Sequence, residues 1–140
     1  SQGGAAVGQA LIEDNRIDAG INLDGMQWGS MIDTTLHEPF MLISSNWDQD
    51  HPNLNKHAYR NLSDSTFYNL IIENTGHSNF MDIPLLINLP YINEVGTIDP
   101  YKGYEVTTSL ILAFFNKKLK NQETSIKDLA ETFEKIEIIN

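Results

Sequence analysis

A serine, an aspartate and a histidine occur in this sequence at positions where together they could hydrolyse an ester bond. Ser1 opens the chain, and Asp24 and His77 follow it in that order. A serine hydroxyl is a weak nucleophile and needs a base to take its proton. Histidine does this near neutral pH, and a buried carboxylate holds its imidazole in the correct tautomer. These residue types predict a catalytic triad that acts through an acyl-enzyme.

The serine lies in a stretch that is typical of a sharp strand-to-helix turn. Residues 1–6 read S-Q-G-G-A-A, the second half of the nucleophile-elbow motif G-x-S-x-G. Glycines here would let a helix pack tightly against a neighbouring strand. The backbone N–H of Gln2 would donate one hydrogen bond of an oxyanion hole. Since the glycine and strand that precede such a serine are missing, we expect the chain to be the back half of a larger enzyme.

Three apolar segments must position these residues, and we predict that each is a strand. They lie at 19–23, 39–44 and 67–73. Loops or helices separate them, which favours parallel pairing in an α/β sheet. Ligands bind outside the carboxyl ends of parallel strands, and Asp24 and His77 both follow such ends. The chain order serine, aspartate, histidine is that of the α/β-hydrolases.

Helical patterns flank these strands. Helices are predicted at 3–12, near 53–61 and at 103–120, with a helical turn in 78–86. A capping-box pattern at Ser125 opens a last helix. Two apolar faces are predicted: Val106, Leu110, Ala113 and Phe114 on the long helix, and Ile126, Leu129, Phe133 and Ile136 on the last one. We therefore predict a single α/β domain over 1–140, with three α/β/α layers.

The composition excludes several classes of function. The 140 residues are 41% hydrophobic, which suits a globular domain. A net charge of -10 opposes binding to nucleic acids, and no apolar run is long enough to span a membrane. The absence of cysteine excludes disulfides and thiolate chemistry. No HExxH spacing exists, and the residues Asp48, Asp50 and Asn53 lack the rest of a calcium loop, so we expect no metal and no cofactor.

Several of these segments resemble the platelet-activating factor acetylhydrolase family of the isoform II type. Residues 1–6 resemble its S-F-G-G-A, and residues 20–24, G-I-N-L-D, resemble its G-I-A-L-D, with the same separation between serine and aspartate. Residues 76–82, G-H-S-N-F-M-D, resemble its H-x-N-F-x-D around the histidine. Residues 98–100 and 113–119 resemble its closing loop and helix.

The resemblance implies the C-terminal half of an α/β-hydrolase that is a calcium-independent serine esterase. Its substrates would be short or oxidised acyl esters, with phospholipids among the candidates, and its partner would be the N-terminal half of the same fold. The implied site consists of the catalytic residues Ser1, Asp24 and His77, the oxyanion donor Gln2, and the substrate-binding residues Trp28 and Phe80. The loop at 26–28 differs from the family's aromatic loop, so the resemblance does not fix the substrate.

Each triad position has an alternative. Ser1 could instead use its own α-amine as base, as in N-terminal nucleophile hydrolases. Asp48 and Asp50 follow the second strand, and many α/β-hydrolases carry the acid after their next-to-last strand. The histidines that compete with His77 are His37, His51 and His57.

The segment that follows the histidine also carries predictions. Asp82 is predicted to accept backbone hydrogen bonds near His77. Residues 85–92 are predicted to pack as core or pocket rim, and a patch that contacts a lipid interface is the competing interpretation. The whole chain could be a non-catalytic fragment, and we expect the 140 residues alone to be inactive.

Overall fold

The computed structural model describes residues 1–46, 55, 57–63, 65–90, 92 and 94–139. The backbone divides into two compact units. The first contains the described residues of 1–44 and 55–70 together with Ile139, and the second contains Ser45, Asn46 and the described residues of 71–138. The prediction of a single domain stays a prediction.

Four strands form one sheet in the order β1-β2-β3-β4. They are β1 (Gly20–Leu23), β2 (Phe40–Ser45), β3 (Phe67–Ile72) and β4 (Ile136–Ile138). β1 and β2 are parallel, with Gly20 opposite Phe40 and Leu23 opposite Ile43. The Phe40 N–H donates to the carbonyl of Thr66 at 3.0 Å, so β2 and β3 begin side by side. The three predicted strands therefore form as expected.

The fourth strand makes the sheet mixed. The Glu73 N–H donates to the Lys135 carbonyl at 2.7 Å, and the Ile139 N–H donates to the Asn69 carbonyl at 2.9 Å. Residue numbers rise on one strand as they fall on the other, so β4 is antiparallel to β3.

Four α-helices are described: α1 (Gln2–Glu13), α2 (Ile83–Leu86), α3 (Pro100–Lys120) and α4 (Ile126–Thr132). The Ser125 side chain accepts a hydrogen bond from the Asp128 N–H at 3.1 Å, which confirms the predicted start of α4. The prediction that Phe133 and Ile136 continue its apolar face is wrong. Phe133 is already extended, and Ile136 opens β4.

The long helix α3 begins three residues before its predicted start at Gly103. The Asp99 carboxylate accepts a hydrogen bond from the Lys102 N–H at 3.0 Å, and Pro100 occupies the first turn. Both are helix-start signals, because an aspartate caps the free N–H groups and proline has a helical φ. The predicted inner residues Val106, Leu110, Ala113 and Phe114 are all buried.

Aromatic packing fixes the core of the first unit. The Tyr59 ring lies 5.4 Å from the Phe40 ring and 5.2 Å from the Phe67 ring, measured between centroids. Leu11 of α1 belongs to the same buried cluster. The helix predicted near 53–61 lies partly outside the described residues, but the Tyr59 N–H donates to the Asn55 carbonyl at 3.0 Å, which is a helical bond.

The apolar segment at 85–92 is predicted to pack as core or pocket rim, and its described residues do not pack as core. Leu86 at the end of α2 is 82% exposed and Ile87 after it is 61% exposed. That the segment forms a pocket rim stays a prediction. No α-helix in the described ranges combines the length and the hydropathy that a membrane span requires.

Candidate active site

Ser1 occupies the N-cap of α1 and is exposed. Its hydroxyl makes no hydrogen bond that caps the helix, whereas its carbonyl accepts one from the Gly4 N–H at 2.9 Å. Its nitrogen donates to the Leu23 carbonyl at 2.6 Å, which ties it to the end of β1. The first N–H groups of a helix, here including that of Gln2, have no partner within the helix, and the helix dipole favours negative charge beside them. This arrangement suits an oxyanion donor next to a nucleophile.

Asp24 follows β1 directly and is 3% exposed. Its N–H continues the strand pairing by donating to the Ile43 carbonyl at 2.8 Å. Its φ is 50°, in the left-handed region that non-glycine residues rarely adopt. Such a conformation persists where the surrounding structure holds it in place.

The first unit brings the backbone of Ser1 and the turn of Asp24 together. A side chain at Gly25 would overlap the Ser1 carbonyl oxygen. The serine turn and the aspartate turn are therefore in direct contact.

A buried side chain, Asn22, holds the aspartate turn. Its Oδ1 accepts a hydrogen bond from the Gly25 N–H at 2.8 Å, and its Nδ2 donates to the Gly25 carbonyl at 2.8 Å. The same Nδ2 donates to the Tyr59 hydroxyl at 2.8 Å. The sequence analysis did not identify Asn22 as a site residue. The available signal was a polar amide within a short apolar strand, which needs hydrogen-bond partners if it is buried.

The hydrogen bonds continue from Tyr59 to Gln27. The Tyr59 hydroxyl donates to Gln27 Oε1 at 2.9 Å, and Gln27 Nε2 donates to the Ala5 carbonyl of α1 at 3.1 Å. Asn55 joins the network through both ends of its amide: its Oδ1 accepts from the Gln27 N–H at 2.8 Å, and its Nδ2 donates to the Gly25 carbonyl at 3.0 Å. Burial raises the pKa of Tyr59, and the hydrogen bond from Asn22 opposes that shift. Every buried side-chain nitrogen and oxygen in the described ranges has a partner.

His77 begins a 3₁₀ turn, His77–Phe80, in the second unit. The turn is fixed by Asn79, whose Oδ1 accepts hydrogen bonds from the Gly76 N–H at 2.8 Å and the Gly96 N–H at 2.7 Å. A side chain at Gly76 would overlap the Glu94 carbonyl oxygen, so the backbone approaches closely there. The histidine motif therefore has a defined backbone geometry of its own.

The role predicted for Asp82 falls to Asn79 instead. Asp82 is exposed, and its side chain makes no capping hydrogen bond at the start of α2. An amide oxygen can accept two N–H groups as a carboxylate does. This is why a side chain other than the predicted aspartate can hold the histidine turn.

The remaining predicted residues have varied surroundings. Trp28 in the first unit is 52% exposed, and Phe80 in the second unit is half-buried. The competing histidines His37 and His57 are exposed, whereas Asp48, Asp50, His51 and Asn53 lie outside the described residues. No group of three His, Cys, Asp or Glu side chains that could hold a metal ion occurs in the described part of the chain.

Ser1 and Asp24 thus belong to the first unit and His77 to the second. Ser1 and the Asp24 turn are in contact. That these two residues and His77 form one catalytic triad stays a prediction.

Comparison of structures shows the fold. The chain is similar to a ferulic acid esterase from Streptomyces cinnamoneus, with a TM-score of 0.88 and 24% sequence identity. The match covers 100% of this chain and 45% of that protein, so this chain spans less than half of its length. The predicted α/β-hydrolase fold is confirmed.

Comparison of sequences shows the family. A search among curated proteins finds no match. The profile of the family described as platelet-activating factor acetylhydrolase, isoform II, matches residues 1–135 and confirms the resemblance seen in the motifs. The chain therefore belongs to the platelet-activating factor acetylhydrolase isoform II family.

Proposed function

We propose that the protein hydrolyses carboxylic esters, with Ser1 as nucleophile, His77 as general base and Asp24 as the carboxylate that orients His77. The observation that carries the proposal is the serine turn: Ser1 stands at the N-terminus of α1, its hydroxyl is not used to cap the helix, and the buried Asp24 turn lies against it. Membership of the family and the esterase among the similar structures support it.

The proposed reaction has two halves. The Ser1 hydroxyl oxygen attacks the ester carbonyl carbon while His77 takes its proton, and the negative charge on the carbonyl oxygen is stabilised by the Gln2 N–H at the start of α1. His77 then gives the proton to the departing alkoxide, which leaves as an alcohol. Water attacks the acyl-enzyme with His77 again as base, and the acid is released as Ser1 regains its proton.

The substrate is proposed to be a small ester with a short or oxidised acyl chain, with phospholipid esters in the same class. A second candidate class is that of aromatic acyl esters, because a similar structure is that of a ferulic acid esterase. Trp28 and Phe80 are the proposed substrate-binding side chains, and Trp28 is 52% exposed. Turnover of p-nitrophenyl acetate, p-nitrophenyl butyrate and methyl ferulate would rank these classes.

A fluorophosphonate probe tests the nucleophile. In the chain joined to its N-terminal half, we expect labelling at Ser1, loss of labelling in Ser1→Ala, and a parallel loss of p-nitrophenyl acetate hydrolysis. Exposed Ser30 offers a matched control, since Ser30→Ala changes a serine outside the proposed site. Hydrolysis that Ser1→Ala leaves intact would overturn the proposal.

Two further comparisons test the rest of the proposed site. Asp24→Asn should abolish turnover and Asp48→Asn should not, and the reverse result would make Asp48 the acid. The parallel pairing of β1 with β2 speaks against an N-terminal nucleophile hydrolase, which is built on antiparallel sheets. Residues added before Ser1 should therefore preserve labelling, whereas a nucleophile that depends on its own free amine would lose it.

The alternative is a non-catalytic fragment that needs the N-terminal half of the same fold. β1 is an end strand of the described sheet, and its pairing with β2 uses one of its edges. A strand from the N-terminal half is the proposed partner of the other edge. The assay is run on the 140 residues alone and on the chain joined to that half. Turnover by the 140 residues alone would overturn the prediction that they are inactive.

A further inference from the structure

We propose that Asn22 is a positioning residue that holds the Asp24 carboxylate in its catalytic orientation, a role that rests on the proposed function. Asn22 does so through its two hydrogen bonds to Gly25, which we call the Asn22 clasp. Asn22 does not act on the substrate itself. It acts through the turn that presents Asp24.

The clasp joins the residues on either side of the segment that contains Asp24. Asn22 precedes Asp24 by two residues, and its one side chain engages both the N–H and the carbonyl of Gly25, at 2.8 Å each. In the chain, Asp24 lies between Asn22 and Gly25, and its φ is 50°. Because left-handed backbone is unfavourable for a residue with a side chain, the turn needs such anchors to hold one conformation.

The same side chain also contacts the helix of the nucleophile. A side chain at Gly4 would overlap Asn22 Oδ1 and Cγ, which shows how closely α1 approaches the clasp. Gly25 in turn lies against the Ser1 carbonyl oxygen. Asn22 therefore sets the separation between the turn that carries Asp24 and the turn that carries Ser1.

Tyr59 fixes the orientation of the Asn22 amide. Its hydroxyl accepts from Asn22 Nδ2 at 2.8 Å and donates its own proton to Gln27 Oε1 at 2.9 Å. Asn22 Nδ2 must then face Tyr59, which leaves Oδ1 for the Gly25 N–H. A flipped amide would break both contacts, so the clasp has one orientation.

The burial of Asn22 supports a positioning role over simple packing. The residue is 0% exposed, and an apolar side chain would fill a strand position without the cost of removing an amide from water. The amide is retained at the place where the strand turns into Asp24. Its hydrogen bonds go to that turn and to Tyr59.

Two variants test the clasp in the protein that shows Ser1-dependent hydrolysis. Asn22→Leu removes all three hydrogen bonds of the amide. Tyr59→Phe removes only the hydroxyl that accepts from Asn22 Nδ2 and keeps the aromatic ring. Ile126→Val is the control, because Ile126 is buried in the second unit and its loss of one methyl group lowers stability without touching the turn. The readouts are kcat and KM for p-nitrophenyl acetate and the hydrogen-exchange rate of the Gly25 amide.

We expect Asn22→Leu to lower kcat on the order of 10²-fold with little change in KM, because misplacing a catalytic group by about 1 Å costs that much. Tyr59→Phe should have a smaller effect in the same direction. Gly25 amide exchange should be slow in the wild type and faster in both variants. Ile126→Val should change neither kcat nor this exchange rate.

The outcomes separate the two proposals. If Ser1→Ala leaves hydrolysis intact, the proposed function fails, and this is seen without any change at Asn22. If hydrolysis depends on Ser1 but folded Asn22→Leu keeps the wild-type kcat, the positioning role fails. If Asn22→Leu does not fold, Tyr59→Phe tests the positioning role in its place, and a wild-type kcat in that variant would overturn it. Fast exchange of the Gly25 amide in the wild type would also overturn the proposal.

Discussion

The two glycines that follow Gln2 in the serine turn should respond in opposite ways to the same substitution. Both lie in the first turn of α1. A methyl group at Gly3 would meet no heavy atom within 4 Å. A methyl group at Gly4 would overlap the buried side chain of Asn22 and approach its Cα at 3.0 Å. Gly3→Ala is therefore a matched control for Gly4→Ala.

The expected size of each effect follows from these contacts. Replacing glycine by alanine in a helix stabilises it by about 0.5–1 kcal/mol, and Gly3→Ala should gain an amount within that range. Gly4→Ala makes the same gain but forces Asn22 to move, and overpacking costs about 1–3 kcal/mol. Each buried hydrogen bond of Asn22 that breaks costs about 1–3 kcal/mol more. We expect the free energy of unfolding of the two variants to differ by about 2 kcal/mol or more.

Urea unfolding of the two variants measures this difference. With a slope of about 1–3 kcal/mol per molar urea, the midpoints should lie at least about 0.7 M apart. Adding Asn22→Ala to Gly4→Ala should recover part of the loss, since the overlapping atoms are removed, with a coupling of about 0.5–3 kcal/mol. Equal stability of Gly3→Ala and Gly4→Ala would refute the close approach of α1 to Asn22.

Three further predictions concern single side chains. Burial raises the pKa of Tyr59 above its ordinary value of about 10, so the stabilising contribution of the buried hydroxyl should be complete below that pH and decline above it. Ultraviolet titration should show a tyrosine that ionises at higher pH than ordinary tyrosines and is lost in Tyr59→Phe. Asn79→Ala leaves two glycine N–H groups without their acceptor and should lower the free energy of unfolding by about 2 kcal/mol, whereas Asn79→Asp retains an acceptor and should lose less, as thermal unfolding would show. Asp99→Ala should cost about 1 kcal/mol by removing the cap on the Lys102 N–H, and Asp99→Asn should cost little; equal losses in a denaturant series would contradict the capping role.

The elements that sequence reasoning predicts correctly depend on local signals. The continuous apolar run at 39–44 becomes a strand that is buried at every position. The start of α4 follows from the Ser125 cap. Asp99 and Pro100 carry the same kind of signal for α3, and reading them as a cap and a first helical residue would have placed its start correctly.

The fourth strand could not be predicted in this way, because its residues fit both the spacing of a helix and the alternation of a strand. Ile126, Leu129, Phe133 and Ile136 recur at helical spacing, yet the I-E-I of 136–138 also alternates as a strand does. Pairing with β3 decides between them, through the Ile139 N–H to the Asn69 carbonyl at 2.9 Å. This contact joins residues that are far apart in sequence, and no local pattern contains it.

Asn22 and Gly4 show that the residue types of a site can be predicted from sequence while the contacts that support the site cannot. The elbow motif indicates that its glycines allow close packing, but it does not say against what. The structure assigns the close packing to Gly4 rather than Gly3, and the group that occupies the space is the Asn22 amide. Position 22 is also where the chain departs from the family's G-I-A-L-D, with asparagine in place of alanine. An alanine there could reach neither Gly25 nor Tyr59, so the side-chain hydrogen bond to the Gly25 N–H and the link from this turn to Tyr59 depend on this departure and on the room that Gly4 leaves for it.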